Sequence, residues 1–186
     1  MKTVNVALVN NLKSFAQQYV AHYVDKYAHL PLVECDDNWP SNCLQGNNNE
    51  QTNFWQPVEV EDDLSFQNIE SALEISLHRD VKHYFTALYS DSLHARCKEG
   101  ELSLLLPWSD KDFERLQENI IGHVLMKRKL KQPVTIFFAV TDDEDCILSV
   151  DNATGEVWVE RVGCLPHKKL ADELAVFIEQ LIPAIP

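Results

Sequence analysis

Apolar side chains recur near the start of the chain at spacings of three and four: Leu8, Leu12, Phe15, Tyr19, Tyr23 and Tyr27. That spacing predicts one stripe of an amphipathic helix, closed by Pro31. Residues 34–58 lose the period. They are rich in Asn, carry Pro40, Gly46 and Pro57, and read as loop around two tryptophans, Trp39 and Trp55. Ser65 is placed to cap a helix near 66–76, and another helical turn follows around 81–88.

The second half alternates more clearly. Leu93, Ala95 and Cys97 interleave with His94 and Arg96, and Lys98-Glu99-Gly100 makes a short hairpin loop into 101–106. Ser109, with Asp112 three residues on, resembles a capping box short by one methylene. It opens the strongest helix, with Phe113, Leu116, Ile120, Ile121 and Val124 on one face. The basic run Lys127-Arg128-Lys129 falls in its last turn, where it complements the helix dipole. Pro133 ends it. Residues 134–140 are apolar on both faces, as in a central strand. An acidic turn at 142–145 leads to a strand at 146–150. The turn Asn152-Ala153-Thr154-Gly155 leads to another at 156–162, and Leu170, Leu174, Phe177 and Leu181 form the stripe of a last helix. Consecutive hairpins between flanking helices indicate an α+β fold with a largely antiparallel or mixed sheet. No repeat or long linker divides the chain, so residues 1–186 are expected to form one domain.

Composition narrows the partners. With 186 residues, 45% hydrophobic and 24% charged, the chain has the make-up of a globular domain. One of this length buries roughly 70% of its unfolded surface without disulfide or metal. The net charge is -13, which repels polyanionic duplexes and anionic lipid unless a local basic patch overcomes the global field. Neither nucleic acid nor direct lipid binding is therefore expected. The apolar run at 3–9 is broken by Asn10 and Asn11, too short for a secretory signal. No stretch approaches the ~20 apolar residues of a membrane span. Cys35, Cys43, Cys97, Cys146 and Cys164 are odd in number, and reduced thiols in the cytosol are the expectation.

The charge is unevenly spread. Between Lys26 and Arg79 there is no Lys or Arg, and that stretch holds ten acids: Glu34, Asp36, Asp37, Glu50, Glu59, Glu61, Asp62, Asp63, Glu70 and Glu74. Such a run reads either as a solvated face or as a binding surface for a cationic partner. Trp39, Phe54 and Trp55, interleaved with it, supply the aromatic anchors that interface hot spots favour. In bacterial inner-membrane proteins the cytoplasmic loops are enriched in Lys and Arg, which makes them one class of matching cation.

Other chemistry has little support. No C-x-x-C, H-E-x-x-H or calcium loop occurs, and His78 and His83, five apart, diverge on a helix. No nucleophile elbow or phosphate-binding glycine loop is present. No catalytic residue, cofactor or metal is therefore assigned. Cys146 is in phase with Leu148 and Val150 and reads as a small core hydrophobe. Trp158, alternating with Glu156 and Glu160, is expected under a helix. Asn119 and His123 read as boundary polar residues bonded to a neighbouring loop. Gly122 falls on the polar side, where it would admit another backbone.

The run Trp108-Ser109-Asp110-Lys111-Asp112-Phe113, followed by Gln117-Glu118-Asn119-Ile120-Ile121-Gly122-His123, resembles the Syd family. Phe54-Trp55-Gln56-Pro57 and Thr154-Gly155-Glu156 fit the same pattern. The resemblance implies an α+β protein related to the SUKH superfamily that binds the translocon subunit SecY. It further implies a cytosolic protein loosely held at the cytoplasmic side of the inner membrane through SecY. The implied role is to bind SecY outside a proper complex or to restrain the translocase, with an acidic concave surface receiving basic SecY loops. Glu34, Asp36, Asp37, Glu59, Glu61, Asp62 and Asp63 are the candidate acids, chosen on charge clustering. Trp55 is the candidate apolar anchor, and Glu118 joins them from the signature stretch. The alternative is an immunity protein of SUKH type that covers a basic toxin.

Overall fold

The computed structural model describes residues 5–186, so the first part of the short apolar run at 3–9 lies outside the described residues. The opening stripe forms helix α1 (Val6–Tyr27). Asn5 caps it by accepting the Leu8 N–H, and Ala28, at φ 59°, ends it in the left-handed region. Leu8, Leu12, Phe15 and Tyr19 are buried, whereas Tyr23 is half-buried and Tyr27 exposed, so the stripe runs off the core in its last turn.

The segment expected to be loop is partly strand. It contains β1 (Leu32–Glu34), β2 (Leu44–Asn47) and β3 (Thr52–Trp55), paired antiparallel in the order β1-β3-β2. Asn49 makes the β2–β3 turn, its side-chain oxygen accepting from the N–H groups of Gln51 and Thr52. A short strand β4 (Val58–Glu59) follows, and then helices α2 (Gln67–Leu73) and α3 (Arg79–Phe85). The cap position is Phe66 rather than the expected Ser65, whose Oγ accepts the Gln67 N–H from one residue further back. Strand β5 (Leu88–Tyr89) pairs with β4.

The hairpin β6 (Leu93–Cys97) and β7 (Gly100–Leu104), helix α4 (Asp110–Lys129), and strands β8 (Thr135–Thr141), β9 (Cys146–Asp151) and β10 (Val157–Arg161) follow the alternation of the sequence. The expected last helix is shorter. Leu170 belongs to strand β11 (Lys168–Ala171), α5 spans only Leu174–Glu179, and the chain closes with β12 (Ile182–Pro183). The main sheet runs β11-β10-β9-β8-β7-β6-β12 with every neighbouring pair antiparallel. The fold is α+β.

Alternation along β8 sends its side chains to two layers. Phe138 meets Tyr84 of α3 and Phe177 of α5 edge-on, with ring centroids 5.7 and 5.8 Å apart. Thr135 and Phe137 face α4. There His123 Nε2 lies 3.1 Å from Thr135 Oγ1, and the Thr135 hydroxyl sits 3.0 Å from both Glu160 oxygens. Lys127, fully buried, donates to Glu160 at 3.2 Å and to the Cys164 carbonyl at 2.9 Å. Lys127 is thus a core ion-pair partner rather than a solvated charge at the helix end.

Other expectations change as well. His123 bonds to a strand rather than a loop, and Asn119 is exposed. Gly122 faces open space, with nothing within 4 Å of where a Cβ would stand. The close approach is at Gly155 instead, against the His78 ring. Cys146 is half-buried at a strand end, its thiol 3.3 Å from Asp143 Oδ2. Trp158 is half-buried on the face that bears Glu160.

Candidate functional site

The start of α4 organises one concave part of the surface. Ser109 Oγ accepts the Asp112 N–H and Asp112 Oδ2 accepts the Trp108 N–H at 2.9 Å, so the box closes one residue earlier than with Glu. This holds Trp108 in place. Its indole N–H donates to the Trp39 carbonyl at 3.1 Å, and its own carbonyl accepts from Ser41 Oγ. The loop after β1 is thereby stapled to the first turn of α4. Within that loop the Trp39 N–H donates to the Asp36 carbonyl, and Asp36 Oδ1 accepts the Asn38 N–H at 2.9 Å.

A groove of about 340 Å³ opens between this loop, the turn after β5 and α4. Asp91, Asp112, Arg115 and Asn119 line it with Trp39, and Phe137 is among its apolar walls. Three of the α4 residues fall one turn apart, at 112, 115 and 119, which puts them on one helical face. Arg115 lies over the Trp39 ring, its guanidinium carbon 4.8 Å from the centroid.

None of the candidate acids lines this groove itself, and they differ in how they are placed. Asp36 and Asp37 are exposed on the Trp39 loop, and Glu34 is exposed at the end of β1, next to the groove residue Val33. Glu61, Asp62 and Asp63 are exposed in the turn after β4, where Asp62 Oδ2 accepts from the Tyr89 hydroxyl at 2.7 Å. Burial first, and that bonded carboxylate second, push the Tyr89 phenol well above its ordinary range. Asp110 at the start of α4 adds to the same effect, so Asp62 and Asp110 both act on the Tyr89 hydroxyl. Among the described residues, Glu34, Asp37, Glu61 and Asp63 have no ion-pair or side-chain hydrogen-bond partner.

Two acids stand apart. Glu59 pairs with Lys13 at 2.8 Å over a separate hollow between α1 and β4. Glu118 is exposed beside Asn119 but does not line the groove. Trp55 is not a surface anchor: it is 2% exposed and packs edge-on against Trp108, 6.0 Å between centroids. Its β3 neighbours put it on the inner face of the small sheet. The half-buried Trp39 takes the position at the groove.

The family model described as Syd protein (SUKH-2) matches residues 9–183. The chain belongs to the Syd family. It is 54% identical to Protein Syd of Colwellia psychrerythraea over 97% of this chain and 92% of that one. Protein Syd of Pseudoalteromonas atlantica is 40% identical over 97% and 96%, and that of Pectobacterium atrosepticum 39% over 95% and 96%.

Within this Syd protein, charge counting found the acids of residues 34–63 but missed Asp91, Asp112 and Arg115. Those three sit in segments of balanced charge, and only the fold brings them to the Trp39 loop. The one signal available was the Ser109–Asp112 spacing, which reads as a cap and carries no hint of a groove. Among the described residues, no helix is long and apolar enough to cross a membrane.

Proposed function

We propose that this chain is a non-catalytic binder of SecY, the translocase subunit. It docks from the cytoplasm onto the basic cytosolic loops of SecY at the inner-membrane face, and so sequesters uncomplexed SecY or restrains translocation. The observation that carries the reading is the absence of any Lys or Arg between Lys26 and Arg79, in a stretch whose Val33 and Trp39 line a groove that Asp91 and Asp112 also line. Membership of the Syd family supports it. Carboxylates without internal counter-charges keep their field available to a partner, and a concave low-dielectric wall concentrates that field. Opposite charge speeds encounter and sets orientation.

Binding to SecY-containing membrane vesicles, against vesicles without SecY, tests it. Affinity should fall steeply as salt shortens the screening length from ~10 Å at 0.1 M to ~3 Å at 1 M. Replacing Asp37, Glu61 and Asp63 together by Lys should weaken binding by about tenfold or more. These three are chosen because no described residue bonds to their carboxylates, whereas removing Asp62 would strand the Tyr89 hydroxyl. Salt-independent binding, or full affinity in the triple variant, would sink the proposal.

A further inference from the structure

Arg115 sits oddly for a cation in acidic surroundings. It is exposed and shares its groove with Asp91 and Asp112, yet it has no carboxylate within 4.0 Å among the described residues. Its guanidinium instead covers the face of Trp39, 4.8 Å from the ring centroid. The backbone that carries the ring does not depend on that contact for its place. The Trp39 carbonyl is held by the Trp108 indole and its N–H by the Asp36 carbonyl. A fixed indole face beside carboxylates is a cation-recognition element, and a guanidinium stacks on it better than an ammonium does.

We infer that the Trp39 face is a guanidinium subsite of the groove, occupied in the unbound protein by Arg115 and taken over by an arginine of the basic partner. The inference rests on the groove being the cation-binding surface, and goes beyond it by fixing the side chain that is read. Arg115 acts as an internal competitor. It covers the indole face and repels an incoming cation, so its removal frees the subsite and takes one positive charge out of the groove. A purely structural Arg115 would behave in the opposite way, because losing it would loosen Trp39.

The probes are two capped peptides of alternating glycine and basic residue, one with five arginines and one with five lysines, measured by fluorescence polarisation at low salt. The native chain should prefer the arginine peptide. Arg115→Gln should tighten the arginine peptide by about threefold to tenfold, and the lysine peptide by less. Adding Trp39→Ala to Arg115→Gln should abolish the preference for arginine, read as the ratio of the two affinities in a variant whose fold is checked by circular dichroism. Arg115→Gln binding the arginine peptide no better than the native chain would overturn the subsite, as would a preference that survives Trp39→Ala. If binding is lost in the Asp37, Glu61, Asp63 lysine variant yet ignores both Trp39 and Arg115, the acidic surface stands and the subsite falls. If neither peptide binds the native chain, both fall.

Discussion

Two glycines show how differently one residue type is constrained. Gly122 lies inside α4 with φ in the helical range and open space where a Cβ would go. Gly122→Ala should therefore stabilise the protein by about 1 kcal/mol, read from the urea midpoint, because the helix no longer fixes a flexible backbone there. Gly155 has φ +82° and would place a Cβ 2.6 Å from the His78 ring. That ring caps α3 by accepting the Asp80 N–H. Gly155→Ala should cost about 2 kcal/mol, from left-handed strain together with a displaced cap. The buried Lys127–Glu160 pair sets a third constraint. Lys127→Met leaves Glu160 without its counter-charge and should cost about 3 kcal/mol or more. Adding Glu160→Gln should recover a good part of that loss, since the amide brings no buried charge. If the double variant proves less stable than Lys127→Met, Glu160 contributes chiefly through Thr135 and His123.

At the scale of elements, α4 connects the core to the groove. Ser109→Ala should cost about 1 kcal/mol as a lost cap. It should also shift the fluorescence of the tryptophans, because Trp108, which holds the Trp39 loop, hangs from the same turn. An unchanged spectrum with the expected loss of stability would show the staple to be independent of the cap. Helix α4 was legible in the sequence because twenty residues give the 3.6 period room to show, and the hairpins of β6–β7 and β9–β10 because alternation is bounded by turn residues. Strands β1 to β3 were not legible. At three or four residues each they offer too few alternations, and the polar side chains of Thr52 and Asn53 obscure the inward Trp55. The stripe read through Leu170 to Leu181 mixed periods: Leu170 is in a strand, and only Leu174 and Phe177 share α5. For the site, a local excess of acid could be counted along the chain. The Asp91, Asp112 and Arg115 contributions are tertiary, as is the pairing of Lys127 with Glu160, 33 residues away.

At the scale of the whole molecule, burial of titratable groups limits stability on both sides of neutrality. His83 and His123 are held below their ordinary 6.5, chiefly by burial, with Glu160 opposing it at His123. His83 shows why the neutral form is needed: its Nδ1 accepts the Asn5 N–H at 3.1 Å, at the cap of α1. Around pH 6 the unfolded chain therefore binds more protons than the folded one, and stability must fall as pH drops below 6.5 through the lower folded values. On the alkaline side burial pushes the Cys43 thiol from 9.0 up to about 11 and the Tyr19 phenol from 10.0 up to about 12. Their neutral forms are favoured by folding, so that stability is intact below the ordinary values and is lost as pH rises through the folded ones. Stability should then be flat between roughly pH 7 and 9 and decline on either side. The net charge of -13 acts against the acid limb, since protonation relieves self-repulsion in the folded state. Measuring urea midpoints in 0.5 M salt removes most of that opposing effect by screening. Under those conditions the midpoint should fall from pH 7 to 5.5, and His83→Gln should flatten the fall because the amide keeps an acceptor for Asn5 without titrating. A midpoint that rises over this range at high salt would mean that both imidazoles gain protons on folding, contrary to their burial.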